Sequence, residues 1–136
     1  MYVDASAIVA ILTREPDADA LADALDGALS PITSAVTVFE SVLGVCRKRH
    51  ASVAEAREDV REFLEAARVR TVAITSEEAD AALDAFARYG KGRGHPARLN
   101  MGDCFAYAVA KSHHASLLFK GDDFTRTDAR TAMPSR

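Results

Sequence analysis

Short apolar or β-branched segments alternate along the chain with amphipathic segments of helical period, and this alternation constrains the fold most. Strands that alternate with helices form a parallel sheet with helices on both faces. The predicted strands are 1–4, 31–33, 71–74 and 116–119, and the predicted helices are 6–13, 18–25, 34–49, 52–68, 75–90 and 102–114. With no repeat, low-complexity segment or linker, residues 1–136 are expected to form one α/β domain with four to five short strands.

Capping signals mark several helix starts. Ser52 with Glu55, and Thr75 with Glu78, have the spacing of a capping box. Ser34 is a candidate N-cap for the long third helix. Two of these starts follow a predicted strand directly, which is typical of a compact α/β unit.

Composition limits the classes of function. The net charge of −3 argues against a static nucleic-acid-binding module but allows an enzyme that acts on nucleic acid, because catalytic carboxylates themselves lower the charge. No apolar stretch approaches the roughly 20 residues that span a bilayer, and no basic segment opens the chain as in a signal peptide. We therefore expect a soluble, cytoplasmic protein without membrane contact. Cys46, Cys104 and the four histidines lack metal-ligand spacing, and both thiols are expected to pack in apolar surroundings.

Acidic residues follow the first and last predicted strands. Asp4 ends the first strand, and Asp122 and Asp123 come shortly after the last one. In an open parallel sheet, functional groups gather outside the carboxyl ends of the strands, so all three belong to one edge. Taken singly, Asp4 is equally explained as a helix cap, and the Asp122–Asp123 pair as a turn.

Glu40 occupies an unusual position on the third helix. At about 100° per residue, it borders the apolar arc between Val36 and Leu43 rather than facing away from it. That arc is predicted to consist of Val36, Phe39, Val42, Leu43 and Cys46. A carboxylate beside a packed face costs several kcal/mol unless it is paired or bound to a metal, so Glu40 indicates a site.

Asp103 lies in the first turn of an apolar helix whose inner face includes Ala106, Tyr107 and Ala110. Its spacing from Asn100 equally fits a capping arrangement, and the helix dipole favours an acid there.

Together, these four places on the chain deliver carboxylates to one edge of the sheet, with no lysine or arginine placed to neutralise them pairwise. Such a cluster repels itself unless cations occupy it, and an all-oxygen set favours Mg²⁺ or Mn²⁺ over zinc. Metals held by clustered carboxylates suit phosphodiester hydrolysis, so the residues themselves indicate a nuclease.

Three strings carry a family resemblance: "YVDASAIVAIL", "ITSAVTVFESVLGV" and "LNMGDCFAYAVAKSHHASLLFKGDDFTRTD". In this order and spacing, from Tyr2 to Asp128, they strongly resemble a PIN domain of the VapC toxin family. The resemblance implies a three-layer PIN-like fold and an endoribonuclease dependent on Mg²⁺ or Mn²⁺. It also implies the toxin of a type II toxin–antitoxin pair, a homodimer that a small VapB-like antitoxin inhibits.

The resemblance also implies roles for individual residues. The acidic quartet of the family matches Asp4, Glu40, Asp103 and either Asp122 or Asp123, of which Asp122 is preferred. Asp4 and Asp103 would be the main metal ligands, Glu40 would bind or orient a metal-bound water, and the fourth acid would complete the site. Ser6 matches a hydroxyl that hydrogen-bonds a metal-binding carboxylate.

A glycine-rich basic loop and a lysine after the last strand are candidate RNA contacts. Phosphates near the acidic site would need such positive charges, although a solvated loop explains the same residues equally well. The candidates are Lys91, Arg93, His95, Arg98 and Lys120.

Two other functions fit parts of the pattern. A phospho-accepting receiver-type domain is also α/β, but it needs paired acids after its first strand, where this chain has Asp4 alone. A catalytically silent PIN domain that acts only as a binding module is the second alternative, against which the complete set of acids argues.

Overall fold

The computed structural model describes residues 1–133, which form four strands and six helices. The strands are β1 (Tyr2–Val3), β2 (Ile32–Ser34), β3 (Arg70–Val72) and β4 (Leu117–Leu118), and the helices are α1 (Ala5–Leu12), α2 (Ala18–Asp26), α3 (Ala35–Arg49), α4 (Val53–Ala66), α5 (Ser76–Tyr89) and α6 (Met101–Ser112). The predicted α/β class and the number of strands are confirmed. None of the helices within residues 1–133 is long and apolar enough to cross a bilayer.

The strands form one parallel sheet in the order β3-β2-β1-β4. Tyr2 of β1 pairs with Ile32 on one side and with Leu117 on the other. Because all strands run in one direction, the segments that leave β1, β2 and β4 emerge at a common edge. β1, β3 and β4 are shorter than predicted, whereas β2 keeps three residues and is shifted by one. β1 and β2 pass almost directly into α1 and α3.

Hydrophobic clusters cover the two faces of the sheet. Tyr2 and Leu117 belong to the cluster formed with α5 and α6, whereas their neighbours Val3 and Leu118 belong to the cluster formed with α1 to α4. The side chains of each strand thus alternate between two helical layers, which gives the predicted three-layer arrangement. Cys104 is buried in the first cluster and Cys46 packs against the second, as the sequence predicts.

Two helices end earlier than predicted because a basic residue adopts left-handed backbone. Arg68 has φ 57° and His114 has φ 53°, so α4 ends at Ala66 and α6 at Ser112. The next amide reaches back over the last turn in each case, from Val69 to the Leu64 carbonyl and from Ala115 to the Ala110 carbonyl, both at 2.8 Å. This is the usual left-handed helix termination, formed here without glycine.

The helix starts follow the capping signals with one exception. Both capping boxes, that of Ser52 and that of Thr75, are formed. Ser34 occupies the N-cap position of α3, but its side chain caps no backbone amide. Its Oγ instead lies 2.7 Å from the Tyr2 hydroxyl, because β1 runs beside β2 and presents that buried phenol to it.

Candidate active site

Asp4 joins β1 to α1 and is buried, with 5% of its surface exposed. It is the N-cap of α1, which begins at Ala5 and therefore one residue earlier than predicted. Its Oδ2 accepts hydrogen bonds from the Ser6 amide at 3.0 Å and from the Ser6 hydroxyl at 2.6 Å. The Ser6 Oγ in turn accepts from the Lys120 amide at 3.0 Å, which ties the end of β1 to the segment after β4. Asp4 is thus a cap through Oδ2, while these bonds leave Oδ1 for another partner.

Glu40 lies on the packed side of α3, but the predicted apolar arc is wrong in part. Phe39 is 65% exposed and Leu43 38% exposed. The buried face is made mostly of small and polar residues, which are Thr37, Ser41, Val42, Gly44 and Val45. Hydropathy misses this face because Tyr2 reaches it with its hydroxyl, 2.6 Å from the Thr37 Oγ1.

The carboxylate of Glu40 lies against the backbone of Gly102, in the first turn of α6. A Cβ at Gly102 would overlap the Glu40 carboxyl group, so this approach requires glycine. Contact between α3 and α6 thereby places the Glu40 carboxylate beside Gly102, the residue that precedes Asp103.

Asp103 forms the predicted capping arrangement at the start of α6. Its Oδ2 accepts from the Asn100 amide at 3.1 Å, and the Asn100 Oδ1 accepts from the Asp103 amide at 2.9 Å. The residue is only 9% exposed. Like Asp4, Asp103 uses its Oδ2 for capping. Its Oδ1 is left for another partner, so capping and a functional role are compatible.

The segment after β4 contributes Asp123 to the same cavity. Asp4, Glu40, Asp103 and Asp123 all line one open cavity at the carboxyl edge of the sheet. Asp122 lines the adjoining cavity, which Asp103 and Asp123 share. Asp123 thus lines both cavities and Asp122 only the adjoining one, so Asp123 is the neighbour that shares a cavity with Asp4 and Glu40. Which of the two is the fourth acid of the site stays a prediction.

Burial and mutual repulsion perturb the acids of this cavity. Burial raises the pKa of Asp4, and the charge of Asp123 raises it further. Burial, and to a lesser extent the negative charge of Asp4, raises the pKa of Glu40 to about 7. Burial also raises the pKa of Asp103 to about 7, with added repulsion from Asp4, Asp123 and Glu40. No ion pair within residues 1–133 involves these four carboxylates.

The donor set fits a hard divalent cation. It consists of carboxylate oxygens that repel one another and lack a lysine or arginine partner in residues 1–133, so a cation would relieve the repulsion. In the part of the chain described, no three acidic, histidine or cysteine side chains are placed to hold one ion directly. Mg²⁺ suits such a site, because it usually binds through one or two carboxylates and keeps several waters.

The predicted basic residues divide between the two cavities. Lys91 and Arg98 line the one that contains Asp122, and Lys120 lines the one that contains Asp4. Arg93 lines neither cavity. The ring of His95 packs edge-on against Tyr89, with 4.9 Å between centroids, and its Nδ1 accepts from the Ala97 amide at 3.0 Å, which is a structural role.

Sequence reasoning missed four charged residues of the two cavities. Arg126 lines the cavity that contains Lys91, and Glu15, Arg47 and Lys48 line the cavity of the four acids. The sequence did contain a signal for the two basic residues of α3. Arg47 and Lys48 follow Glu40 by seven and eight residues, which is about two helical turns, so they lie on the same face of the helix as Glu40.

A parallel α/β sheet with carboxylates from four segments at its carboxyl edge is the arrangement of a PIN domain, and the chain matches the PIN domain family over residues 1–130. It is 44% identical to VapC ribonuclease R02377 of Rhizobium meliloti, over 93% of this chain and 97% of that protein. It is 40% identical to Ribonuclease VapC28 of Mycobacterium tuberculosis over the full length of both, and 39% identical to Ribonuclease VapC42 of the same species, over 97% of this chain and 98% of that protein.

The chain therefore belongs to the PIN domain family, and its curated relatives within that family are VapC ribonucleases. The resemblance found in the sequence is confirmed, and the receiver-type alternative is set aside. The extent of the domain over residues 1–136 stays a prediction, since residues 134–136 lie outside the described part of the chain.

Proposed function

We propose that the protein is a metal-dependent endoribonuclease and the toxin of a type II toxin–antitoxin pair. The observation that carries the proposal is the single cavity lined by Asp4, Glu40, Asp103 and Asp123, which come from four separate segments of the chain. The names of the relatives, which are ribonucleases, support RNA as the substrate.

In this proposal, Asp4 and Asp103 hold a divalent cation, Mg²⁺ or Mn²⁺, through the carboxylate oxygens that capping does not use. When bound, such a cation activates a water and stabilises the leaving oxygen of a phosphodiester. Glu40 on α3 and Asp123 after β4 line the same cavity and would orient the attacking water there. Ser6 fixes the rotamer of Asp4 and, through the Lys120 amide, the distance between Asp4 and the segment that carries Asp123.

Substitution of the two main ligands tests the proposal. Asp4→Asn and Asp103→Asn keep an oxygen that accepts the capping hydrogen bonds but remove the charge, so RNA cleavage with Mg²⁺ should fall at least about 100-fold in a folded protein. Asp84→Asn, at an exposed position of α5, is the matched control and should cleave like the wild type. Cleavage of a labelled RNA, followed with circular dichroism as a check of folding, measures both effects. Wild-type rates in either Asn variant would contradict the site.

Metal titration separates the enzyme from a catalytically silent PIN module. We expect Mg²⁺ or Mn²⁺ to raise the unfolding temperature of the wild type and to have less effect on Asp4→Asn, because the cation relieves repulsion among the acids. A wild type that neither binds these metals nor cleaves RNA with them would favour the silent module.

The partners in this proposal follow from family membership. A VapB-like antitoxin would bind and inhibit the protein, which would form a homodimer in the cytoplasm. Co-expression with the product of an adjacent short reading frame tests the first point, and light scattering tests the second. Both stay predictions.

A further inference from the structure

Three charged residues from distant parts of the chain meet on the wall of the acidic cavity. Glu15 lies between α1 and α2, Lys48 lies in the last turn of α3, and Lys120 follows β4. The Oε1 of Glu15 accepts from the Lys48 Nζ at 3.0 Å and from the Lys120 Nζ at 2.7 Å. All three residues line the cavity that contains Asp4, Glu40, Asp103 and Asp123.

Glu15 is the fixed member of this cluster, and the lysines are the movable ones. Its side chain is 18% exposed, against 51% for Lys48 and 34% for Lys120. The Glu15 amide donates to the Ala10 carbonyl at 3.0 Å after a left-handed turn at Arg14, which has φ 59°. Hydrogen bonds from Lys120 and Lys48 hold the pKa of Glu15 below its ordinary value, so it is charged at neutral pH.

One carboxylate therefore pairs with both lysines, so part of their positive charge is already compensated where a polyanion would meet them. Lys120 also has Asp17 at 3.6 Å, beyond hydrogen-bonding distance. A carboxylate that accepts from two ammonium groups presents the same chemistry as a phosphate oxygen. Ion pairs of partly exposed lysines are weak and exchange readily, so a phosphate can replace Glu15.

We propose that Glu15 competes with RNA phosphate for Lys48 and Lys120, and thereby lowers the affinity of the active site for RNA backbone. This inference rests on the proposed ribonuclease function. An RNA must displace Glu15 before its phosphates contact the two lysines, and this displacement costs free energy. RNAs that make further contacts with the protein offset this cost, so Glu15 makes the site more selective among RNAs.

The charge-neutral variant Glu15→Gln tests the competition. The binding of a short single-stranded RNA is measured in an Asp103→Asn background, where cleavage is blocked, over a range of salt concentrations. Release of the lysines should tighten binding about 3- to 10-fold and steepen the salt dependence by about 0.7 for each phosphate newly contacted. Glu65→Gln is the matched control, since it removes the same charge from an ion pair with Arg61 on the exposed face of α4.

A double-mutant cycle with Lys48 distinguishes competition from a general change in charge. Lys48 has Glu15 as its ion-pair partner, so Lys48→Met should change RNA affinity little when Glu15 is present and weaken it several-fold in Glu15→Gln. Unchanged or weaker RNA binding in Glu15→Gln, or equal effects of Lys48→Met in both backgrounds, would overturn the inference. Thermal unfolding of each variant checks that the compared proteins are folded.

The outcomes for the inference and for the proposed function are separable. If the wild type fails to cleave RNA with Mg²⁺ or Mn²⁺, the proposed function fails. If it cleaves RNA while Glu15→Gln binds RNA no more tightly than its parent, only the role of Glu15 is refuted.

Discussion

At the scale of single residues, the two acids proposed as metal ligands also form capping hydrogen bonds. Asp4 caps α1 through its Oδ2 atom, and Asp103 completes the capping box of Asn100 at the start of α6, also through its Oδ2 atom. A cap fixes the rotamer of its carboxylate, because the hydrogen bonds to backbone amides hold one oxygen in place. The second oxygen is thus presented in a defined direction, which helps a metal site more than it competes with one.

Single substitutions can decide whether Asp122 or Asp123 is the fourth acid of the active site. Asp123→Asn should lower the rate of RNA cleavage about 100-fold, because Asp123 shares the cavity of Asp4 and Glu40. Asp122→Asn, its neighbour in the adjoining cavity, should stay within about threefold of the wild type. Single-turnover cleavage of one RNA by both variants measures the difference. A larger loss in Asp122→Asn than in Asp123→Asn would reverse the assignment.

At the scale of secondary-structure elements, the contact between α3 and α6 sets the position of Glu40. The Glu40 carboxylate lies where a side chain at Gly102 would begin. The close approach therefore depends on a residue without Cβ in the first turn of α6.

Gly102→Ala should separate activity from stability. The Cβ would displace the flexible end of Glu40, so we expect a loss of cleavage rate of about 10- to 100-fold. The free energy of unfolding should stay unchanged or rise by up to about 1 kcal/mol, because alanine has a higher helix propensity than glycine. Gly27→Ala is the control, since a Cβ there meets only ordinary contacts, the nearest at 3.7 Å. Cleavage kinetics and urea unfolding measure both quantities, and an unchanged rate in Gly102→Ala would refute the role of this contact.

At the scale of the whole molecule, Asp128 fastens the C-terminal segment to the helices behind the sheet. Its carboxylate accepts from the hydroxyls of Tyr107 and Tyr89 and from the ammonium group of Lys111, which lie on α6 and α5. These hydrogen bonds, first that of Lys111, lower the pKa of Asp128 to about 2. The segment between β4 and Asp128 carries Asp123, so this anchor holds the C-terminal end of that segment.

Asp128→Asn should lower the free energy of unfolding by about 1 kcal/mol at pH 7, a value reduced because the side chain is 43% exposed. The pKa of Asp128 in the folded protein is lower than its ordinary 3.8, so the contribution is complete above pH 4 and is lost as the pH falls toward 2. Urea unfolding of both proteins between pH 7 and pH 3 measures this, with Asp84→Asn as the control. If the difference in free energy of unfolding between the wild type and Asp128→Asn grows as the pH falls, the role of Asp128 is contradicted.

The sequence by itself determined the α/β class and the order of the elements, and it predicted three acids that line one cavity, Asp4, Glu40 and Asp103. Hydrophobic period and capping boxes are local, so they located β1 to β4 and α1 to α6 to within a few residues. The rule that parallel strands share a carboxyl edge predicted that Asp4 lies near the segment after β4. The positions of Glu40 on α3 and Asp103 at the start of α6 added the other acids of the cavity.

Only the tertiary structure decided the rest. The turn after β4 determines that Asp123, and not Asp122, lines the cavity of Asp4 and Glu40. The meeting of Glu15 with Lys48 and Lys120 depends on contacts between residues more than 30 positions apart. The buried face of α3 was misjudged in part because it includes Thr37, which bonds the Tyr2 hydroxyl, and Gly44, which lies against the Val9 side chain. Local patterns fix backbone conformation, whereas the direction of a side chain is set by distant elements that pack against it.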